Sequence, residues 1–86
     1  MRWRVIVARS AERALRSAPT KDKARILDAL TSMEIDPYVG DVVSLRGVYK
    51  GSFRRRVGSW RLLFDIEVSK RTVSVTAIRR RASKTY

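Results

Sequence analysis

The stretch Phe53-Arg-Arg-Arg-Val-Gly-Ser-Trp-Arg-Leu-Leu-Phe-Asp-Ile66 decides the fold. Apolar and charged residues alternate on both sides of Gly58-Ser59, and a two-residue loop with glycine first is the type II′ hairpin signature. Such a loop fixes the register: Val57 opposite Trp60, Arg56 opposite Arg61, Arg55 opposite Leu62, Arg54 opposite Leu63. Side chains alternate along each strand, so Arg54, Arg56 and Arg61 share one face. Phe53, Val57, Trp60, Leu62, Phe64 and Ile66 share the other, which must be the core face. Alternation also points Arg55 at the core side; a place near the sheet edge would let it reach water along its methylene stem.

Downstream, Arg71 to Arg79 reads as a further strand, and a turn at Ser69-Lys70 sets Val73, Val75 and Ala77 opposite Ile66, Phe64 and Leu62. Upstream, alternation predicts a strand over residues 2 to 8. Ser10 then caps a short helix with Glu12 in its first turn, buried through Ala11, Ala14, Leu15 and Ala18 and ended by Pro19. Thr20 caps a second helix with Asp22 in its first turn and an apolar stripe of Ala24, Ile26, Leu27, Leu30 and Met33. Asp36-Pro37 stops it. Val42, Val43 and Leu45 suggest a short strand, followed by a loop around Gly47 and Gly51. The expected fold is a single α+β domain over residues 1–86: an N-terminal strand, an antiparallel helix hairpin, then a twisted antiparallel meander with the helices on one face.

Charge separates the chain into halves. The net charge is +12. Residues 1 to 45 hold eight basic and six acidic side chains, whereas residues 46 to 86 hold twelve basic and two acidic. The first half reads as scaffold and the second as an electrostatic surface suited to a polyanion or an acidic protein. The hydrophobic content of 44% is high enough for a folded core. With no cysteine or histidine, disulfide scaffolds, thiolate zinc sites, Cys nucleophiles and imidazole chemistry are excluded. The composition fits a cytoplasmic protein, and no metal or other cofactor is implied. Val5 to Ala8 is too short an apolar run for a signal peptide or membrane span, and the most basic segment lacks the amphipathic helix of a membrane-surface anchor.

Two readings of the arginine face stand at this point. It is a solvated basic surface partly offset by Asp65 and Glu67 on the same side, or it is a phosphate-binding cluster. Like charges directly opposite across strands are destabilising, so a sheet built for stability alone would avoid Arg56 facing Arg61. Guanidinium forks suit phosphate oxygens. The basic ending Ile78-Arg-Arg-Arg-Ala-Ser-Lys-Thr-Tyr86 emerges beside the strand bearing Arg61. Tyr86 is either an ordinary aromatic or, among these cations, a phenol favoured as phenolate or available to stack on a base.

The order of elements, Asp36-Pro37 after the second helix, the run Leu45-Arg-Gly47, FRRRVGSWRLLFDI and the ending AIRRRASKTY together resemble the RelE/ParE superfamily of bacterial and archaeal toxins, over essentially the whole chain. The resemblance implies a small toxin neutralised by a cognate antitoxin in a hetero-oligomer. Its RelE-like branch consists of metal-independent endoribonucleases that cleave messenger RNA in the ribosomal A site. The ParE-like branch instead poisons DNA gyrase and lacks the catalytic basic set. Carried over by motif, Arg54 and Arg56 match the basic pair before the hairpin turn and Arg61 the arginine after it. Arg81 matches the late arginine, with Arg80 able to exchange roles, and Tyr86 matches the terminal tyrosine. Arg54 and Arg56 stand where the best-known RelE-type site carries lysines, and Arg55 where relatives usually carry an apolar residue.

The implied chemistry is attack of a ribose 2′-OH on the adjacent phosphate. Arg61 and Arg81 would meet phosphorane charge, Arg54 and Arg56 the substrate phosphate and leaving group, and Tyr86 would be general base or stacking platform. Arginine stays charged and is a poor proton shuttle, so Tyr86 carries more of the acid–base role. Arg46, Lys50, Arg55, Arg79, Arg80 and Lys84 are candidate contacts to messenger or ribosomal RNA. The alternative is a gyrase-binding toxin of the ParE kind. A plain nucleic-acid-binding module fits least, since neither recognition-helix chemistry nor an aromatic stacking platform is evident.

Overall fold

The structure, a computed structural model, describes residues 2–45 and 51–80. Strand β1 (Arg4–Val7) passes directly into helix α1 (Arg9–Arg16), and helix α2 (Thr20–Ile35) follows after a three-residue link. Strands β2 (Val42–Ser44), β3 (Ser52–Val57), β4 (Trp60–Glu67) and β5 (Thr72–Arg80) follow. They form a five-stranded sheet in the order β1-β5-β4-β3-β2. Only β1 with β5 is parallel, so the meander is antiparallel and the N-terminal strand joins its far side to make the sheet mixed.

The helix starts differ from the caps expected at Ser10 and Thr20. Ala8 and Pro19 occupy the N-cap positions and no side chain caps either helix. For α1 the cause lies in β1: the Ala8 amide still bonds to Val75 of β5 (2.9 Å) while its carbonyl already accepts from Glu12 (2.9 Å). Strand ends and helix begins on one residue, leaving no loop position for a serine cap. Asp36 ends α2 as expected, and its carboxylate accepts the Tyr38 amide at 3.0 Å beside the buried Pro37.

One face of the sheet is covered by the helices. The core consists of Ala11, Ala18, Ile26, Ala29, Leu30 and Met33 against Trp60, Leu62, Phe64, Val73, Val75 and Ile78. The α2 stripe is therefore rotated from the expected one: Ala29 is buried, whereas Ala24 is exposed and Leu27 half-exposed. Trp60 is anchored through its indole N–H to Asp22 of α2 at 3.1 Å. An aromatic series, Trp3–Tyr38–Phe53–Phe64, with centroids 5.8–6.1 Å apart, ties the chain after α2 to the sheet. Among the described residues, no helix is long and apolar enough to cross a membrane.

The hairpin register is the one the Gly58-Ser59 turn dictates, with Arg56 opposite Arg61 and Val57 opposite Trp60. Gly58 has φ +59, as the first position of a type II′ turn requires. The β4–β5 register follows expectation through Phe64 opposite Val75, then shifts. A bulge pairs Leu63 with Ala77, so Ile78, not Ala77, faces Leu62 in the core. Thr76 is the extra residue; its hydroxyl donates to the Leu63 carbonyl at 3.3 Å.

Candidate nucleic-acid interface

The uncovered face of the sheet is assembled from alternate residues of each strand. Its turn-proximal row is Arg56, Arg61 and Arg79, directly opposite one another on β3, β4 and β5. Neighbouring strands lie about 4.8 Å apart, so the row spans about 10 Å. The bulge at Thr76 creates it. Without the extra residue-for-residue slip, Ile78 would face Arg61 and Arg79 would point toward Trp60. The next row is Val43, Arg54, Leu63 and Ala77, an apolar strip interrupted by one arginine.

The carboxylates of this face do not neutralise the cations. Asp65 accepts from the Ser52 hydroxyl at 2.5 Å, and Glu67 lies 3.8 Å from Lys70. Both sit toward the opposite end of β4. Arg56 is 3.9 Å from Asp41, with both side chains about half exposed, a contact of little energetic weight. Among the described residues, the side chains of Arg61 and Arg79 make no hydrogen bond or ion pair. Arg54 is half-buried, and its buried Nε–H has no hydrogen-bond partner among the described residues. A buried donor left unpaired costs about 1–3 kcal/mol.

Arg55 is set apart, as alternation predicts, but it does not reach water at a sheet edge. β2 lies alongside it, and its guanidinium turns under the sheet to α2, donating to Ser32 Oγ at 2.8 Å and toward the Ala29 carbonyl at 3.4 Å. Burial lowers its pKa, though a guanidinium stays charged at any physiological pH. Gly40, at φ +103, makes room for it: a Cβ there would lie 3.0 Å from the Arg55 guanidinium carbon. Arg80 also leaves the open face, its guanidinium 5.7 Å from the Trp60 ring centre on the helix side.

The structure thus brings together Arg54, Arg56, Arg61 and Arg79 and separates Arg55 and Arg80 from them. Arg46, Lys50, Arg81, Lys84 and Tyr86, together with the Arg46-Gly47 part of the motif, lie outside the described residues. β5 leads into residues 81–86 from the basic end of the sheet. Arg79 was legible as a cation but not as a member of the row, because a bulge leaves no mark in strand alternation. Arg25, on α2, approaches the β3–β4 turn and had no signal beyond an ordinary helix-surface charge.

No family model matches the sequence, and no curated protein matches it at the sequence level. The likeness lies in the fold. The chain superposes on the archaeal RelE of a RelE–RelB complex from Pyrococcus horikoshii with a TM-score of 0.85 at 23% identity, covering 98% of this chain and 100% of the other. A chain of the toxin–antitoxin complex RelBE2 from Mycobacterium tuberculosis matches with a TM-score of 0.81 at 24% identity, over 94% and 100% of the two chains. The isolated RelE toxin of E. coli gives 0.80 at 14% identity, over 95% and 87%. This chain has the RelE toxin fold.

Proposed function

We propose that this chain is the toxin of a type II toxin–antitoxin pair and that it cleaves translated messenger RNA at the ribosome. The observation that carries this reading is the row Arg56–Arg61–Arg79: three arginines directly opposite one another across β3, β4 and β5 on an uncovered sheet face, with only the long, half-exposed contact of Arg56 to Asp41 to offset their charge among the described residues. Such an arrangement costs stability and is repaid by a polyanion. The buried Nε–H of Arg54, without a partner among the described residues, supports the same reading as a donor suited to a phosphate oxygen. The shared fold with toxins found in complex with RelB or as RelBE2 supports an antitoxin as protein partner.

In the proposed reaction the 2′-oxygen of one ribose attacks the adjacent phosphorus, and the bond to the 5′-oxygen of the next nucleotide breaks. The products are a 2′,3′-cyclic phosphate and a free 5′-OH. The 2′-OH proton passes to a base, for which Tyr86 is the candidate, and the leaving 5′-oxygen takes a proton from solvent water. Arg61, with Arg79 beside it and Arg81 following in sequence, meets the charge of the pentacoordinate phosphorane. Arg54 and Arg56 hold the substrate phosphate and the leaving group. Cations fixed before the substrate arrives need little reorganisation in the transition state.

The test is induction of the protein in a bacterial host, with mapping of message 5′ ends and a parallel assay for gyrase-dependent DNA breaks. Cut messages without such breaks, lost with Arg61→Ala while the variant remains folded, are the expected result. DNA breaks with intact messages would overturn the nuclease reading in favour of a gyrase-directed toxin.

A further inference from the structure

β2 accompanies β3 only as far as Arg55, which pairs with Val42. Beyond it Arg56 and Val57 form an uncovered sheet edge, with only the Arg56 amide bonded, to the Asp41 carbonyl at 3.0 Å. Arg56 therefore belongs to two surfaces. Its Cα lies in the open-face row, and its side chain lines a depression of about 300 Å³ between this edge and α2, shared with Arg25, Asp28, Ser32, Arg55 and Val57. The Arg25 guanidinium lies against the β3–β4 turn: a Cβ on Gly58 would be 3.2 Å from its Nη1.

The charges in this depression are not equivalent. Arg55 is committed to Ser32 and to the Ala29 carbonyl. Arg56 has only the long contact to Asp41. The Arg25 side chain makes no hydrogen bond or ion pair among the described residues, although Asp28 stands one turn further along α2. The cations Arg79, Arg61, Arg56 and Arg25 thus follow one another from β5 across the sheet and over its edge.

We infer that Arg25, beyond Arg56 on the far side of the β3 edge, forms a subsite for a further phosphate of a single-stranded RNA that lies across the open face and turns over that edge. The inference rests on the RNA-cleavage reading. Asp28 and Asp41 weaken the site for a free phosphate ion. A phosphate delivered by a strand already held at Arg61 arrives at high effective concentration, so a weak affinity at the subsite is enough. The subsite therefore acts on long RNA and not on short.

Binding of uncleavable 2′-O-methyl RNA to the purified protein tests this, using one oligonucleotide that only spans the arginine row and one several nucleotides longer. Arg25→Ala should weaken binding of the longer RNA and reduce the slope of log K against log salt by about 0.7, the value for one phosphate contact on a single strand. It should leave the short RNA unaffected. Arg13→Ala removes the same charge from the exposed side of α1 and should change neither slope. Equal effects of Arg25→Ala and Arg13→Ala, or equal loss on both lengths, would overturn the subsite. Arg61→Ala separates the two levels: loss of affinity there without an Arg25 effect removes only the subsite, whereas no Arg61 effect on either RNA removes the RNA reading beneath it.

Discussion

Arg54, Arg55 and Arg56 are consecutive in β3, yet the pleat and the neighbouring elements give each a different environment. Arg56 stands in the uncovered row, and Arg54 keeps a buried Nε–H without a partner among the described residues. Arg55 instead spends its donors on α2 and fills the space that Gly40 leaves. Its methylene stem and guanidinium form part of the packing between β3 and α2, so Arg55→Ala should lower unfolding free energy by about 1–3 kcal/mol through the lost hydrogen bond and contacts. Gly40→Ala should act in the same direction, since the new Cβ meets Arg55 and the left-handed backbone strains any residue with a side chain. Arg61→Ala removes a repulsive charge from the open face and should not destabilise. Urea unfolding of the three variants checks the order; an Arg55→Ala protein as stable as the parent would show that the contact to Ser32 contributes nothing.

At the scale of elements, the β3–β4 hairpin was legible because its register depends on local facts: a glycine able to take positive φ and strict alternation on both sides. The β4–β5 pairing was legible only to Val75. A bulge depends on how the sheet coils against the helices, and Thr76 looks in sequence like any other strand residue. The same limit hid the start of α1, which is set by the β1–β5 hydrogen bond at Ala8 and not by the serine nearby. The rotation of the α2 stripe, with Ala29 in and Leu27 half out, is likewise a packing outcome. The bulge carries a prediction. Ile78 is 4% exposed and packs in the core, so Ile78→Ala should cost about 2–5 kcal/mol. Ala77→Ser, on the open face, should be nearly neutral. Denaturant unfolding distinguishes this from the unbulged register, in which the two costs would exchange places.

At the scale of the whole molecule, the net charge of +12 is concentrated where the fold offers least compensation. The scaffold half pairs its charges locally, as in Arg2–Glu34 and Arg16–Glu12. The sheet half lines arginines up across β3, β4 and β5 while Asp65 and Glu67 serve Ser52 and Lys70. Folding and RNA binding should therefore respond to salt in opposite senses. Screening relieves repulsion along the row, since the Debye length falls to about 10 Å at 0.1 M salt and 3 Å at 1 M, so the thermal midpoint should rise with monovalent salt. RNA affinity should fall over the same range as counterion release loses its advantage. Removing the central charge should reproduce both effects. Each directly opposed like-charge pair costs up to about 1 kcal/mol, and Arg61 belongs to two, so Arg61→Leu should gain about 1 kcal/mol, or about 4–8 °C in Tm for a domain of this size. That variant should also flatten the rise of Tm with salt and lose RNA affinity. Calorimetry and binding across one salt series give both readouts; an Arg61→Leu protein with unchanged Tm and unchanged salt response would mean that the row is already neutralised in solution and carries no stored repulsion for RNA to relieve.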